Sequence, residues 1–281
     1  MNDTPPPNPA QTVQPLPANT IHLGDCLHLL PAIPDESVDM ILCDLPYGTT
    51  KNPWDSVIDL EQLWIQYKRI AKPHAAIVLT GQMPFTAALV MSQPLMFRHH
   101  WVWEKTAATG HLNAKHAPMK AHEDVLVFSR KQQTYNPQKT IGHPMKSNGE
   151  AASRRANLST NYGEQKHTEY ASTERYPRSV QTFASDKQTS KLHPTQKPLA
   201  LFEYLVRTYS NEGDLVLDNA IGSGTTAVAA RNNGRHFIGM EKQQEYHAVA
   251  VARLDALAAL DRLNPPGGWR LPIPPLSDHL G

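Results

Sequence analysis

Short apolar runs punctuate this chain, and the stretches between several of them carry apolar residues at helical spacing. The runs are Thr20–Leu23, Val38–Cys43, Ala75–Thr80, His100–Trp103, Val125–Phe128, Leu215–Leu217 and His236–Met240. The helical stretches are Leu60–Ala71, Pro84–Met91, Pro198–Tyr209, Thr225–Asn233 and Gln243–Leu263. Strands alternating with helices in this way predict an α/β fold with a doubly wound sheet. Pro198 suits a first helical turn, where a missing N–H costs nothing.

Two strand ends carry chemistry. The run Leu215–Leu217 meets Asp218, passes through Asn219, Ala220 and Ile221 to the Gly222-Ser223-Gly224 turn, and enters an alanine-rich helix at Thr225. Ligands of open parallel sheets sit at such carboxyl ends. The glycines let backbone approach a ligand closely, and a helix N-terminus presents free N–H groups. About 20 residues further on, the next strand ends in Glu241, placed to accept hydrogen bonds from ribose hydroxyls. This pairing fits an adenosine ligand, either a dinucleotide or S-adenosylmethionine. Ala227 stands where the dinucleotide fingerprint has its third glycine. Asp218 suits a cationic amino group better than a pyrophosphate, which it would repel.

The second strand end is Val38–Cys43 leading into Asp44-Leu45-Pro46-Tyr47. This set suits attack by an exocyclic amino nitrogen, a poor nucleophile because its lone pair is delocalised into the base ring. The Asp44 carboxylate and a backbone carbonyl such as that of Leu45 would hold its hydrogens, localise the lone pair and stabilise the positive charge that develops. Tyr47 offers a face on which an extruded base can stack.

Charge is unevenly spread. Thr106–Ala200 holds 14 Lys and Arg against 7 Asp and Glu, although the whole chain carries only +1. A basic segment in an acidic body fits a polyanion surface, and fits a solvated loop region equally well. Candidate phosphate contacts include Lys115, Lys120, Arg130, Lys139, Arg154, Arg155, Arg175 and Arg178. Cys26 and Cys43 lie in apolar stretches, and no Cys/His run has zinc-ligand spacing, so neither disulfide nor metal is expected. No apolar run is long enough to span a bilayer and no signal-peptide pattern opens the chain, which predicts a soluble, cytoplasmic protein without a membrane partner.

From about Ile21 to Leu254 the sequence resembles the amino-group DNA methyltransferases, whose hallmark is an Asp/Asn/Ser-Pro-Pro-Tyr/Phe motif. The catalytic motif before the cofactor loop resembles the beta arrangement, a circular permutation of the Rossmann-like methyltransferase sheet with target recognition inserted between the two. His193-Pro194-Thr195-Gln196-Lys197-Pro198 looks like the family's cofactor-side motif. The resemblance implies S-adenosyl-L-methionine as cofactor, double-stranded DNA as partner and base flipping. Asp44, Leu45, Pro46 and Tyr47 would be catalytic. Asp218, Asn219, Ala220, Gly222, Ser223, Gly224 and Thr225 would cradle the methionine part, Glu241 would bind ribose, Asp25 would read the adenine, and Lys197 would meet the cofactor carboxylate. Permuted relatives often dimerise, so a homodimer is open to this chain. Leu45 and Ala220 depart from the family pattern.

The implied organisation is a tail over 1–19, a catalytic half over 20–105 and a basic insert over 106–192 that includes a sheet strand near 124–129. A cofactor half over 193–263 and a Pro/Gly-rich tail over 264–281 complete it. Asp44 at the motif head leans toward adenine N6. Cytosine N4, an RNA or protein-glutamine amino group, an inactive DNA-binding relative and a nicotinamide oxidoreductase stay open. Cytosine-carbon chemistry is disfavoured, because it needs a Pro-Cys turn that the chain lacks.

Overall fold

Period-two alternation explains why the central strands are apolar throughout. In β2 (Val38–Cys43), Met40 and Leu42 face one layer of helices while Ile41 and Cys43 face the other. Neighbouring strands repeat the division, with Ala76 and Val78 on one side and Ile77 and Leu79 on the other. Such strands bury both faces and leave no polar side to read. The computed structural model describes residues 14–48, 55–147, 170–185 and 196–263. Both expected terminal tails lie largely or wholly outside these residues.

The strands are β1 (Thr20–Leu23), β2, β3 (Ala71–Gly81), β4 (Phe97–Thr109), β5 (Lys120–Phe128), β6 (Lys146–Ser147), β7 (Ala171–Ser172), β8 (Val180–Phe183), β9 (Leu215–Asp218) and β10 (His236–Glu241). Eight of them form one sheet in the order β1-β10-β9-β2-β3-β5-β4-β8. Pairing is parallel from β1 through β3, antiparallel for β3–β5 and β5–β4, and parallel again for β4–β8. The first strand thus lies beside the last, with Leu23 opposite Glu241.

Helix α1 (Cys26–Leu29) is a single turn capped by Asp25, and α2 (Leu60–Ile70) and α3 (Phe85–Ser92) follow. Then come α4 (Leu199–Tyr209), α5 (Thr225–Asn232) and α6 (Gln244–Leu263). Asp59 caps α2 by accepting from Glu61 N and Gln62 N at 2.9 and 3.2 Å, satisfying donors that the first turn leaves unpaired. Leu63, Trp64, Tyr67 and Ile70 then form its buried stripe, which packs with α3 on the Ile41 side of the sheet. On the Met40 side, Leu201, Phe202, Leu205, Val206 and Tyr209 of α4 meet the alanines of α5. Among the described residues no helix is long and apolar enough to cross a membrane. Both cysteines are free and buried.

The chain divides into two compact units, 1–136 with 179–281, and Pro137–Arg178. The larger contains the whole eight-stranded sheet, so β5 and β8 from the basic segment are sheet strands. In the smaller, β6 pairs antiparallel with β7, Thr140 bridges Arg175, and Lys139 pairs with Glu174 at 2.8 Å.

Candidate active site

The parallel register sets the first half of the site. Cys43 stands opposite Leu79, so the next residues, Asp44 and Thr80, meet where β2 and β3 end. Asp44 Oδ1 accepts from the Tyr47 hydroxyl at 2.8 Å, from the Lys197 ammonium at 2.9 Å and from the Thr80 hydroxyl. Among the described residues, no donor is bound to its second oxygen, and the side chain keeps 22% of its exposure. Pro46 biases Leu45 toward an extended backbone. The Leu45 side chain is buried in the core cluster that contains Phe85 and Leu217. The Tyr47 ring leans on Phe85 with centroids 5.2 Å apart, and Lys197 Nζ stands 5.2 Å from the Tyr47 centroid. Gly48 N donates to Asp55 Oδ1 at 2.8 Å, which ties down the far side of the turn.

Lys197 continues into a buried chain of charge. Its Nζ lies 2.9 Å from Glu123 Oε2, and Lys105 Nζ lies 2.6 Å from Glu123 Oε1. The three side chains are only 8 to 9% exposed. Burial works against ionising Glu123, but the ammonium groups of Lys197 and Lys105 outweigh it and lower its pKa to about 2. Burial likewise opposes the charge on Lys197, and Asp44 and Glu123 outweigh it, holding the lysine well above its ordinary range. Glu123 and Lys197 thus each favour the other's ionised form.

The second half lies across β9 and β10. Asp218 Oδ1 accepts from Ala220 N at 3.0 Å and its Oδ2 from the Thr226 hydroxyl at 2.5 Å, while burial pushes its carboxyl up to about 6. Asn219 accepts from the Tyr67 hydroxyl, and its buried Nδ2 has no hydrogen-bond partner among the described residues. Gly224 has φ +84°, and a Cβ there would lie 3.2 Å from that of Ala250, so α6 crosses the loop at glycine distance. Glu241 accepts from Gly222 N at 2.9 Å and Gln243 N at 2.8 Å, using one lone pair on each oxygen. Asp25 accepts from Leu27 N at 3.0 Å and pairs with Lys242 at 2.9 Å. Gly24 N bonds Glu241 O at 2.8 Å, which brings Asp25 beside Glu241.

One cavity of about 610 Å³ joins the two halves. It is lined by Asp25, Asp44, Leu45, Pro46, Tyr47 and Lys197, and by Asp218, Asn219, Ala220, Gly222, Ser223, Thr225 and Glu241. Gly224 alone among the expected residues is absent from the wall, lying instead against α6. Lys197, expected at a cofactor carboxylate, is engaged here by Asp44 and Glu123. Thr80, Lys105 and Glu123 were not expected. Thr80 was signalled by a hydroxyl directly after the last apolar pair of β3 and Glu123 by the acidic pair that precedes the apolar run of β5, whereas Lys105 carried no such signal.

The phosphate candidates differ in their engagement. Lys115 and Lys120 are exposed on the β4–β5 hairpin. Arg130 is held by Glu36 and the Ala71 carbonyl, Lys139 by Glu174, and Arg175 by backbone carbonyls. Arg154 and Arg155 lie outside the described residues, as do His193, Pro194 and Thr195 of the cofactor-side motif.

The family model described as DNA methylase, for the N6 and N4 enzymes, matches residues 38–252. The Type II methyltransferase M1.MboII of Moraxella bovis is 30% identical over 251 residues, covering 81% of this chain and 93% of the relative. The Type II methyltransferase M.HpaI of Haemophilus parainfluenzae is 29% identical over 248 residues, covering 83% and 73%. Among solved structures, the cytosine-N4-specific PvuII DNA methyltransferase matches with a TM-score of 0.58 at 18% identity, covering 86% of this chain and 88% of that one. M1.HpyAVI, solved as its SAM complex, matches with a TM-score of 0.55 at 22% identity, covering 84% and 98%. At those identities the structural likeness speaks for the fold.

Proposed function

This chain belongs to the N6/N4 DNA methylase family, and from that premise we propose that it methylates the N6 amino group of adenine at a specific site in double-stranded DNA, with S-adenosyl-L-methionine as donor. The observation that carries the proposal is the single cavity shared by the Asp44–Tyr47 turn and the Asp218–Thr225 loop. Its volume of about 610 Å³ falls in the usual range for small-molecule sites.

The residues present fit the cofactor. Asp25, Asp218 and Glu241 outnumber Lys242, the partner of Asp25, at one end of the cavity, which fits a ligand with sulfonium and ammonium charge. Asn219 Nδ2 brings a buried donor with no partner among the described residues, ready for a ligand acceptor. Glu241 would take the ribose hydroxyls on its remaining lone pairs, Asp25 would face the adenine, and the wall residues Asp218, Gly222, Ser223 and Thr225 would hold the methionine part, with Gly224 shaping the turn from behind. When bound, the cofactor supplies an electrophilic methyl group. We assign Lys197 to Asp44 rather than to the cofactor carboxylate, because both of its close contacts are carboxylates of this chain.

The chain's own residues prepare the nucleophile. With Oδ1 of Asp44 held by three donors, Oδ2 accepts one hydrogen of the target amino group, and the Leu45 carbonyl accepts the other. Both bonds draw the nitrogen lone pair out of the ring and strengthen as positive charge develops, which lowers the barrier. Tyr47, braced by Phe85, supplies the stacking surface. The surplus proton of the methylated nitrogen leaves through Asp44 Oδ2 to water. The acidic head of the motif supports adenine over cytosine. The segment 106–192, with its compact unit Pro137–Arg178, is assigned to target recognition, and the Type II relatives support site specificity. The order of motifs and the pairing of β1 with β10 support a circularly permuted sheet.

The direct test is methyl transfer from labelled S-adenosyl-L-methionine to unmethylated duplex DNA of varied sequence, with structured RNA alongside and nucleoside analysis of the product. N6-methyladenine in DNA is expected. Label only in RNA, or in N4-methylcytosine, would overturn the assignment of polymer or base.

A further inference from the structure

The β4–β5 hairpin lines part of the catalytic cavity and has an unusual composition. From Thr106 to His122 it carries Lys115 and Lys120 with three histidines, and neither Asp nor Glu. Every residue from Thr106 to Lys120 is exposed. Its apex is a single turn of 3-10 helix, His111–Asn113, entered through Gly110 at φ +90°. At the centre of that turn Leu112 is 87% exposed. Gly110 and Asn113, on either side of it, line the cavity that contains Asp44 and Tyr47, as do Thr109 and Lys120 at the hairpin's neck.

A single exposed leucine is ordinary on a protein surface. Leu95 and Met91 are comparably exposed, at 92% and 73%, and nothing around them calls for a role. Leu112 differs in its setting: it tips an acid-free, cationic finger whose flanking residues are walls of the reaction chamber. Lysines there would neutralise phosphates beside the target. An enzyme that draws a base out of the helix leaves a gap in the stack, and apolar side chains inserted between base steps are how proteins fill such gaps. A short turn presenting one exposed aliphatic group suits that task, since the side chain reaches the stack without first leaving a core.

We propose that Leu112 enters the duplex at the place vacated by the target base and holds the base in the cavity; this rests on the DNA methyltransferase reading. The test uses duplexes bearing the recognition site, found by sequencing DNA modified in vivo. Wild-type protein and Leu112→Ala are compared on matched duplex and on duplex with a mismatch opposite the target base, which lowers the cost of extrusion. Leu112→Ala is expected to lose about tenfold or more in kcat/KM on matched duplex. Most of that loss should be recovered on the mismatched one. With 2-aminopurine at the target position, the fluorescence rise on binding should shrink in the variant, while S-adenosyl-L-methionine affinity and duplex affinity stay within about twofold. Activity within about twofold of wild type on matched duplex, or an equal loss on both duplexes, overturns the wedge alone. Wild-type protein that methylates no duplex overturns the underlying reading and the wedge with it.

Discussion

Glu123→Gln removes one negative charge from the centre of the Lys105–Glu123–Lys197 chain and keeps the side chain's shape. Two ammonium groups, 2.6 and 2.9 Å from the carboxylate, then face a neutral amide. The cost can be worked from the carboxyl itself. Lowering Glu123 from an ordinary 4.5 to about 2 corresponds to roughly 3 kcal/mol at neutral pH. Breaking a buried pair by removing one partner independently suggests about 3–5 kcal/mol, and at 8% exposure little solvent screening reduces it. For a chain of this size that is a fall in Tm of about 6–12 °C. Because the folded pKa is depressed, the stabilisation is fully present above 4.5 and is lost as pH falls toward about 2. Urea unfolding of wild type and variant at a series of pH values reads both quantities. The difference between the two proteins should be roughly 3 kcal/mol at pH 7 and should shrink steadily below 4.5. A difference below about 0.5 kcal/mol at pH 7, or one that does not change with pH, would refute the account of the buried charge chain.

Asp218, pushed up to about 6 from an ordinary 3.8, contributes stability that is present below 3.8 and lost as pH rises through about 6; unfolding of Asp218→Asn should lack this slope. Its ionised form is the one that attracts a cation, so calorimetric titration should find S-adenosyl-L-methionine binding tightening as pH rises through about 6, and Asp218→Asn should flatten that profile. Thr80→Val removes one of the three donors on Asp44 Oδ1 and is expected to slow methyl transfer by about tenfold at nearly unchanged cofactor affinity. Gly224→Ala combines a left-handed backbone with a contact of 3.2 Å to Ala250; thermal unfolding should register a loss of about 1–3 kcal/mol, and a neutral result would contradict the close approach of α6.

The sheet was legible because its inner strands are buried on both faces. Apolar runs therefore marked β2, β10 and the buried second half of β5. β4 extends from Phe97 to Thr109, well beyond the run His100–Trp103: its first residues alternate half-exposed and exposed, those after Trp103 are mostly exposed, and both parts draw their order from the ladder with β5. β8 escaped for the same reason, as an exposed four-residue strand defined only by its pairing with β4. At the site, the acidic and glycine-bearing turns were readable because their residues are contiguous. The partners of Asp44 were not. Thr80, Glu123 and Lys105 come from three separate strands, and only the register of β2 on β3 and of β4 on β5 brings such residues within reach. Lys197 was found by its motif, but its contacts depend on the same long-range geometry.

The most direct test of the central claim is to produce wild-type protein and Asp44→Ala in a host whose DNA is otherwise unmethylated, and to sequence that DNA for modified bases. The account predicts N6-methyladenine confined to one short sequence with the wild-type protein. It predicts none with Asp44→Ala, even though the purified variant still folds and binds S-adenosyl-L-methionine. DNA that stays unmodified with the wild-type protein, or modification that survives the loss of Asp44, would contradict it.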